Sequence, residues 1–173
     1  MKRQVESLRR ALLAKLIASS IFIILNSGCG NAPTQGEELE PGWINSEQVE
    51  AEYRDEASKL ALAPGWKWPE GKMYEEESSN SLSAYRLNTG RSDATLYWFC
   101  SWGRQYFEKM APEGKEIALA QILKVRETVY FTAFLEGQDK LDNERSLSAL
   151  QDGDSVAFRA IVDANCPRSN RSG

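Results

Sequence analysis

Hydrophobic residues recur at helical spacing along most of the chain beyond residue 43. Residues 44–66 predict a first helix, which Asn45 or Ser46 caps and which Pro64 and Gly65 end. Acidic side chains near the start of this segment suit the N-terminus of a helix. One face of the predicted helix carries the apolar positions Val49, Tyr53, Ala57 and Leu60.

The strongest helical pattern covers residues 92–114, with Ser92 or Asp93 as the N-cap and with Pro112 and Gly114 at the end. It has two apolar stripes. The first contains Leu96, Phe99, Cys100, Gly103, Phe107 and Met110, and the second contains Trp98, Trp102 and Tyr106. A helix that is apolar on two faces is typical of the centre of a domain.

For two segments in the second half of the chain, the sequence does not decide between a helix and a strand. Residues 115–137 predict a helix, but β-branched and aromatic residues make 127–135 a fair candidate for a strand. Residues 143–154 predict a short helix that Gly153 ends. For residues 155–163 we favour a helix over a strand, because Asn165-Cys166-Pro167 supplies a stop signal.

The region from about 66 to 90 is irregular, with a short strand or an extended segment over 82–87. It opens with "PGWKWPEG", which holds Trp66 and Trp68 in a rigid loop. Two such rings can form a surface platform for a sugar or a proline-rich peptide. We favour core packing, in which one ring fills the core and the other covers its rim. Trp66 and Trp68 remain the candidate ligand-binding residues.

The pattern as a whole predicts a mainly α, single-domain helical bundle. We expect four parts in the chain: a signal segment over 1–28, a flexible tether over 29–42, a helical domain over 43–167 and a disordered tail over 168–173.

The first residues have the layout of an export signal. "MKRQVESLRR" is basic, and "ALLAKLIASSIFIIL" follows it. Its uninterrupted part, residues 16–25, has only ten residues. At about 1.5 Å per residue, a helix of that length covers roughly half of a ~30 Å hydrocarbon core. The layout therefore favours a signal peptide over a stable membrane span.

The stretch "LNSGC", with the small residues Ser27 and Gly28 before Cys29, resembles the lipobox of bacterial lipoproteins. The resemblance implies that the Cys29 thiol carries a diacylglyceryl group, that cleavage occurs just before it, and that the protein lies on the extracytoplasmic face of the cell membrane. The chain departs from that pattern at Asn26, where an aliphatic residue is preferred. The alternatives are a secretory signal cleaved near Gly30 and an uncleaved anchor.

Charge and composition exclude several classes of function. Residues 1–28 contain five basic residues against one acidic, a net charge of +4, whereas the whole chain carries −4. Residues 29–173 therefore carry a net charge of −8, which argues against nucleic-acid partners and against electrostatic docking on anionic lipid. The chain has no histidine, so the Ser-His and Cys-His pairs and the commonest zinc ligand are absent. We expect no metal and no cofactor.

Cys100 and Cys166 remain once Cys29 is assigned to lipid. An exported domain with two cysteines favours one disulfide, and closing a loop of this length contributes about 4 kcal/mol in the chain-entropy model. Two unpaired, buried thiols are the alternative. The sequence has no Cys-x-x-Cys motif, which argues against redox catalysis.

The pattern "WFCSWG", followed downstream by a Gly-Asp turn, a helix and "NCP", resembles small exported proteins of unknown function from Gram-positive actinobacteria. This resemblance implies a helical domain and a pairing of Cys100 with Cys166. It implies no activity.

No set of residues predicts catalysis. The run Glu75–Glu77 suits a solvated surface, and the acidic clusters 139–144 and 152–154 suit helix caps and turns. We therefore expect a membrane-tethered, non-catalytic protein that binds or interacts with an envelope protein or a cell-wall component. The alternatives are a ligand-binding sensor domain that uses Trp66 and Trp68, and a histidine-free hydrolase that uses carboxylates.

Overall fold

A computed structural model describes residues 39–74, 83–108 and 111–167 of the chain. These ranges belong to one unit that begins at Glu38. Several sequence predictions concern residues outside the described ranges: the signal segment 1–28, Cys29, the tether up to residue 38, Glu75–Glu77, Met110 and the tail 168–173.

The described part of the chain opens with a very short antiparallel ribbon. Strand β1 (Trp43–Ile44) pairs with β2 (Tyr85–Arg86), so that Trp43 lies opposite Arg86. The predicted short strand over 82–87 is therefore reduced to two residues, and its partner strand lies at the predicted end of the tether.

Helix α1 spans Ser46–Ala57. Asn45 is its N-cap, and its side chain accepts a hydrogen bond from the backbone N–H of Gln48 at 2.9 Å. The Gln48 side chain accepts in return from the backbone N–H of Asn45 at 3.0 Å, which completes a capping box. The predicted continuation of the helix as far as Pro64 is wrong. The chain leaves the helix at Ala57, and Leu60 packs against the core from a non-helical segment.

Helix α2 spans Thr89–Tyr106, so the predicted start at Ser92 or Asp93 is wrong. Its N-cap is Asn88, which adopts a left-handed conformation with φ 71° and makes no side-chain cap. Two N–H groups at this end bond instead to Glu52 of α1. Its carboxylate accepts from the N–H of Asn88 at 2.9 Å and from that of Gly90 at 3.3 Å.

Helix α3 spans Pro112–Leu123 and begins with Pro112 at its first turn. Pro112 therefore starts α3, and it does not end α2 as the sequence pattern suggested. A 3-10 turn (Lys124–Glu127) and a short π-helix (Tyr130–Phe134) follow. The strand alternative for 127–135 is wrong: packing of Phe131, 6% exposed, into the core outweighs the strand propensity of this segment.

Helices α4 (Gly137–Gln151) and α5 (Val156–Asn165) complete the described fold. The helix favoured over 155–163 is confirmed and the strand alternative is wrong. Helix α4 begins earlier than the sequence indicated, and the chain turns after it at Gly153, where φ is +96°. A positive φ of this size is one that glycine adopts without strain.

Helix α2 is the centre of the bundle, as its two apolar stripes predicted. It packs against α1, α3, α5 and the π-helix. Phe99 on α2 and Phe158 on α5 are almost fully buried and meet edge to face, with ring centroids 5.7 Å apart. Truncating a buried phenylalanine of this kind costs about 3–5 kcal/mol. The mainly α fold class is therefore confirmed.

A disulfide joins Cys100 on α2 to Cys166 at the end of α5, with Cα atoms 5.2 Å apart. Cys100 is 1% exposed and Cys166 is 7% exposed, so the bridge lies in the core. Arg104, one turn beyond Cys100, donates to the backbone carbonyl of Cys166 at 2.7 Å and forms an ion pair with Asp163 at 2.6 Å. The predicted Cys100–Cys166 pairing is confirmed, and the alternative of two free thiols is wrong.

Candidate functional site

The two candidate tryptophans lie in the segment that leaves α1, and the structure gives them different positions. Trp66 is 8% exposed, and its ring meets Tyr97 of α2 edge to face at 5.8 Å. Trp68 is only partly buried, with ring centroids 5.4 Å from Tyr97 and 5.9 Å from Tyr53. Trp66 belongs to the core, and only Trp68 presents surface to a ligand.

Three backbone contacts hold this segment against the helices. The carboxylate of Glu50 accepts hydrogen bonds from the backbone N–H of Met73 at 2.8 Å and of Tyr74 at 3.3 Å. Arg54 donates through Nη2 to the carbonyl of Gly71 at 3.0 Å. A glycine suits this position because its φ is +88°. The segment after Trp68 therefore follows α1 closely as far as Tyr74.

A cavity lies between α1 and this segment, and we call it the Trp68 cleft. Its volume is about 240 Å³. It combines one indole and one phenol with a carboxylate and a guanidinium. Its lining residues are Glu50, Tyr53, Arg54, Ala57, Ser58, Trp68, Pro69 and Gly71. A second cavity of about 340 Å³ shares Glu50 and is lined further by Ser46, Glu47, Lys72 and Tyr74.

The charged groups of the Trp68 cleft are paired with each other. Oε1 of Glu50 lies 2.6 Å from Nη2 of Arg54, one turn along α1. This contact is an ion pair, and Oε1 has no hydrogen bond of ordinary geometry among the described residues. The Arg54 side chain is 61% exposed and that of Glu50 is 12% exposed. The cleft therefore has little net charge, and its cation faces solvent more than its anion does.

Tyr53 forms the inner part of the cleft. Its side chain is 4% exposed, and its hydroxyl has no hydrogen-bond partner among the described residues. Burial raises the pKa of Tyr53 to about 12, with smaller contributions from Tyr97, Asp93 and Glu50 and a small opposing one from Arg54. Tyr53 is therefore neutral at physiological pH, with its hydroxyl able to donate or accept a hydrogen bond.

A second polar pair lies beside Tyr53. The Tyr74 hydroxyl donates to Oδ2 of Asp93 on α2 at 2.5 Å. Burial raises the pKa of Asp93, against the hydrogen bond from Tyr74, which lowers it. Burial, followed by the hydrogen bond to Asp93, raises the pKa of Tyr74. Asp93 lines neither of the two cavities. Its hydrogen bond instead fastens the Tyr74 end of the segment to α2.

The arrangement leaves one aromatic surface open beside charged groups that already contact each other. The oxygens of Glu50 contact two backbone N–H groups and a guanidinium, so the carboxylate is occupied. Within the described ranges, no three His, Cys, Asp or Glu side chains gather in a way that would hold a metal ion. What remains accessible is the indole of Trp68 beside a rigid pair of opposite charges.

The sequence pattern indicates Trp68 as a ligand-binding residue, but it does not indicate Glu50, Arg54 or Tyr97. Glu50 and Arg54 stand four residues apart on α1, a spacing that indicates a surface ion pair. This spacing alone did not reveal that both side chains also bind backbone groups of the segment at Gly71–Tyr74. Tyr97 was hidden within the central helix, although it contacts both tryptophans.

No family model, curated protein or solved structure matches this chain. Within the part of the chain that the structure describes, no helix combines the length and the apolar character needed to cross a membrane.

Proposed function

We propose that this chain is an exported lipoprotein, anchored through Cys29 to the extracytoplasmic face of the cell membrane. The observation that best supports export is the buried disulfide between Cys100 and Cys166. Disulfides of this structural kind persist in oxidising compartments and are rare in the cytosol. The basic and apolar N-terminus and the lipobox-like "LNSGC" support the same location.

The proposed anchor is sufficient without a basic surface. Each buried methylene contributes about 0.8 kcal/mol, and two acyl chains hold a protein stably where one does not. A diacylglyceryl group supplies two chains. The domain can therefore be acidic and still remain at an anionic membrane.

Membrane attachment is tested with the full-length chain expressed in bacteria. We expect the wild type in the membrane fraction, with an N-terminal peptide that begins at a lipid-modified Cys29 by mass spectrometry. Cys29→Ser removes the acceptor thiol and should release the protein or leave it unprocessed. Ser27→Ala keeps a small residue and is the matched control. A wild-type chain recovered soluble, with an unmodified Cys29, contradicts the proposal.

Within this location we propose a non-catalytic role in binding an envelope protein or a cell-wall component. The occupied carboxylate of Glu50 and the shallow aromatic cleft support binding over catalysis. Crosslinking the anchored wild type in intact cells should recover a specific envelope partner. Recovery equal to that of an unrelated anchored protein would count against the binding role.

The position of Trp68 favours a second candidate, a sensor or ligand-binding domain for the cell wall. A partly exposed indole beside fixed polar groups is the usual composition of a small-ligand site. A histidine-free carboxylate hydrolase, the remaining alternative, would need two carboxyl groups that face each other across a cleft.

A further inference from the structure

We propose that the Trp68 cleft binds a single uncharged sugar ring, packed against the indole of Trp68 and hydrogen-bonded to Arg54. This inference deepens the proposed binding function and rests on it, because it names the class of ligand. It does not depend on Cys29 or on the membrane.

The cleft is small and open to solvent, so it holds one ring against the indole and leaves the rest of a longer ligand outside. Its volume of about 240 Å³ falls below the roughly 300–1,000 Å³ of pockets that enclose drug-sized ligands. A proline-rich peptide docks in an extended groove lined by several aromatic side chains. Here Trp68 is the partly exposed ring at the surface, and Tyr53 lies behind it, 4% exposed. The cleft therefore fits a ring better than an extended peptide.

The charges of the cleft select a neutral ligand. A cation bound over the rings would approach the exposed guanidinium of Arg54, and an anion would find that guanidinium already paired with Glu50. These two groups lie 2.6 Å apart and balance each other. A ligand with hydroxyl groups uses donors and acceptors without adding charge. Arg54, 61% exposed and with donors beyond the one it gives to Gly71, is the group best placed to meet those hydroxyls.

The indole of Trp68 would contact the apolar face of the sugar ring. The face of an aromatic ring is electron-rich, so it attracts the weakly positive C–H groups that cover one side of a pyranose. Contacts with Tyr97 at 5.4 Å and Tyr53 at 5.9 Å fix the orientation of the indole. Arg54 is fixed by Glu50 and Gly71. Because these groups are already in place, a ligand loses little affinity to ordering them.

The test uses the full-length chain in a detergent whose headgroup is not a sugar, because a glycoside detergent would occupy the same site. The probes are N-acetylglucosamine and its neutral disaccharide, with saturation-transfer NMR on the sugar and titration calorimetry for the affinity. We expect millimolar binding of the single ring, with transfer strongest at the ring C–H groups.

Trp68→Ala should weaken binding at least about 10-fold, and Arg54→Met, which keeps the length of the side chain, should weaken it similarly. Trp43→Ala is the matched control. It also removes a partly exposed indole, 49% exposed and outside the cleft lining, and should leave the affinity unchanged. Trp68→Phe, which keeps an aromatic ring, guards against loss of folding and should retain part of the binding.

Three results overturn the inference: no binding of either neutral sugar, an equal loss in Trp68→Ala and Trp43→Ala, or preferred binding of a proline-rich peptide that Trp68→Ala abolishes. None of them concerns the anchor or a protein partner. A chain that stays membrane-bound through Cys29 and captures an envelope protein, but binds no sugar, refutes this inference and leaves the proposed function standing.

Discussion

At the scale of single residues, Trp66 and Trp68 show what a local sequence pattern can predict and what it cannot. The sequence places both rings in one rigid loop, and alternate residues of an extended segment point to the same side. Both rings do contact Tyr97. The backbone N–H of Trp66 bonds to the carbonyl of Ala63, and the ring enters the core, whereas Trp68 stays at the rim. The sequence predicted this division but not which ring would be inside.

The hydroxyl of Tyr53 gives a first prediction. It is buried without a hydrogen-bond partner among the described residues, whereas the hydroxyl of Tyr97 donates to the carbonyl of Lys67 at 2.9 Å. Tyr97→Phe should lower the free energy of unfolding by about 0.5–1.5 kcal/mol. Tyr53→Phe should leave it unchanged or raise it, because a buried polar atom without a partner is removed. Urea denaturation of both variants measures this. A larger loss in Tyr53→Phe would show that a bound water or another group satisfies this hydroxyl.

Asp93 gives a prediction on pH. Its pKa is raised in the folded state by burial, so the folded protein favours the protonated form. Stability is therefore lost as the pH rises from the ordinary value of 3.8 through the raised folded pKa. Asp93→Asn keeps an acceptor for Tyr74 and carries no charge. It should be more stable than the wild type at pH 7, and this gain should vanish below the ordinary pKa.

Asp55 is the control, because its pKa is shifted in the opposite direction. A hydrogen bond from Lys59 lowers its folded pKa, so its contribution is present above the ordinary value of 3.8 and is lost as the pH falls through the lowered folded pKa. Asp55→Asn should therefore be slightly less stable than the wild type at neutral pH, with the difference disappearing in acid. Urea unfolding at several pH values compares the three proteins. The same trend in both variants would contradict the assignment of the two shifts.

At the scale of elements, the start of α2 depends on a contact between helices. The sequence pattern placed the cap at Ser92 or Asp93, because those side chains are good N-caps. The actual start lies earlier, where Glu52 of α1 accepts from Asn88 and Gly90. Such a cap comes from a residue more than thirty positions away, and no local pattern contains it. Gly90 then allows the backbones of α1 and α2 to come close together.

Gly90→Ala tests this close approach. A Cβ atom there would lie 2.1 Å from the carbonyl oxygen of Val49 and 2.7 Å from the backbone nitrogen of Tyr53, so the two helices must separate. We expect a loss of at least about 1–3 kcal/mol, the usual range for overpacking. Gly153→Ala is the control for the added methyl group, since its Cβ would meet nothing within 4 Å. It should lose only the ~1–2 kcal/mol that a positive φ costs a residue with a side chain, and Gly90→Ala should lose more. An equal effect of the two changes on thermal unfolding would contradict this account.

In the segment between α3 and α4, the local sequence pattern that favours a strand indicates the wrong secondary structure. Its β-branched and aromatic residues suit a strand, yet they form a 3-10 turn and a π-helix. The ribbon is close by, since the guanidinium of Arg86 lies 5.0 Å from the centre of the Phe134 ring. Among the described residues, however, β1 and β2 pair only with each other. Phe131 gains burial in the helical form instead. Core packing decided a choice that propensity left open.

At the scale of the whole molecule, periodicity and cysteine arithmetic were sufficient to predict the class of fold. The double stripe on residues 92–114 predicted the central helix, and the bridge was predicted from the two cysteines that remain when Cys29 is assigned to lipid. A short strand over 82–87 was one of two alternatives, but its pairing with Trp43–Ile44 and the Trp68 cleft were beyond prediction. The two strands are only two residues long and lie about forty positions apart. The cleft forms where the non-helical segment after α1 folds back along that helix. Pairing two residues with two others leaves almost no trace in a linear pattern.

The disulfide gives the prediction on global stability. Cys100 and Cys166 are 66 positions apart, and a loop of that length contributes about 4 kcal/mol in the chain-entropy model. The double variant Cys100→Ser/Cys166→Ser should lose stability of this order in urea unfolding. Cys29→Ser, expressed and measured in the same way, should leave the unfolding of the domain unchanged. A domain equally stable with and without the bridge would show that the closed loop is not a source of its stability.

The same bridge decides what happens when the polypeptide is cut. A peptidase that cleaves anywhere between Cys100 and Cys166 opens the backbone but leaves the two fragments covalently linked. Such a nicked molecule runs as one species on a gel without reductant and as two species with it. A single cut in the stretch that contains α3 and α4 therefore leaves both halves attached to one another, with no fragment lost to the medium.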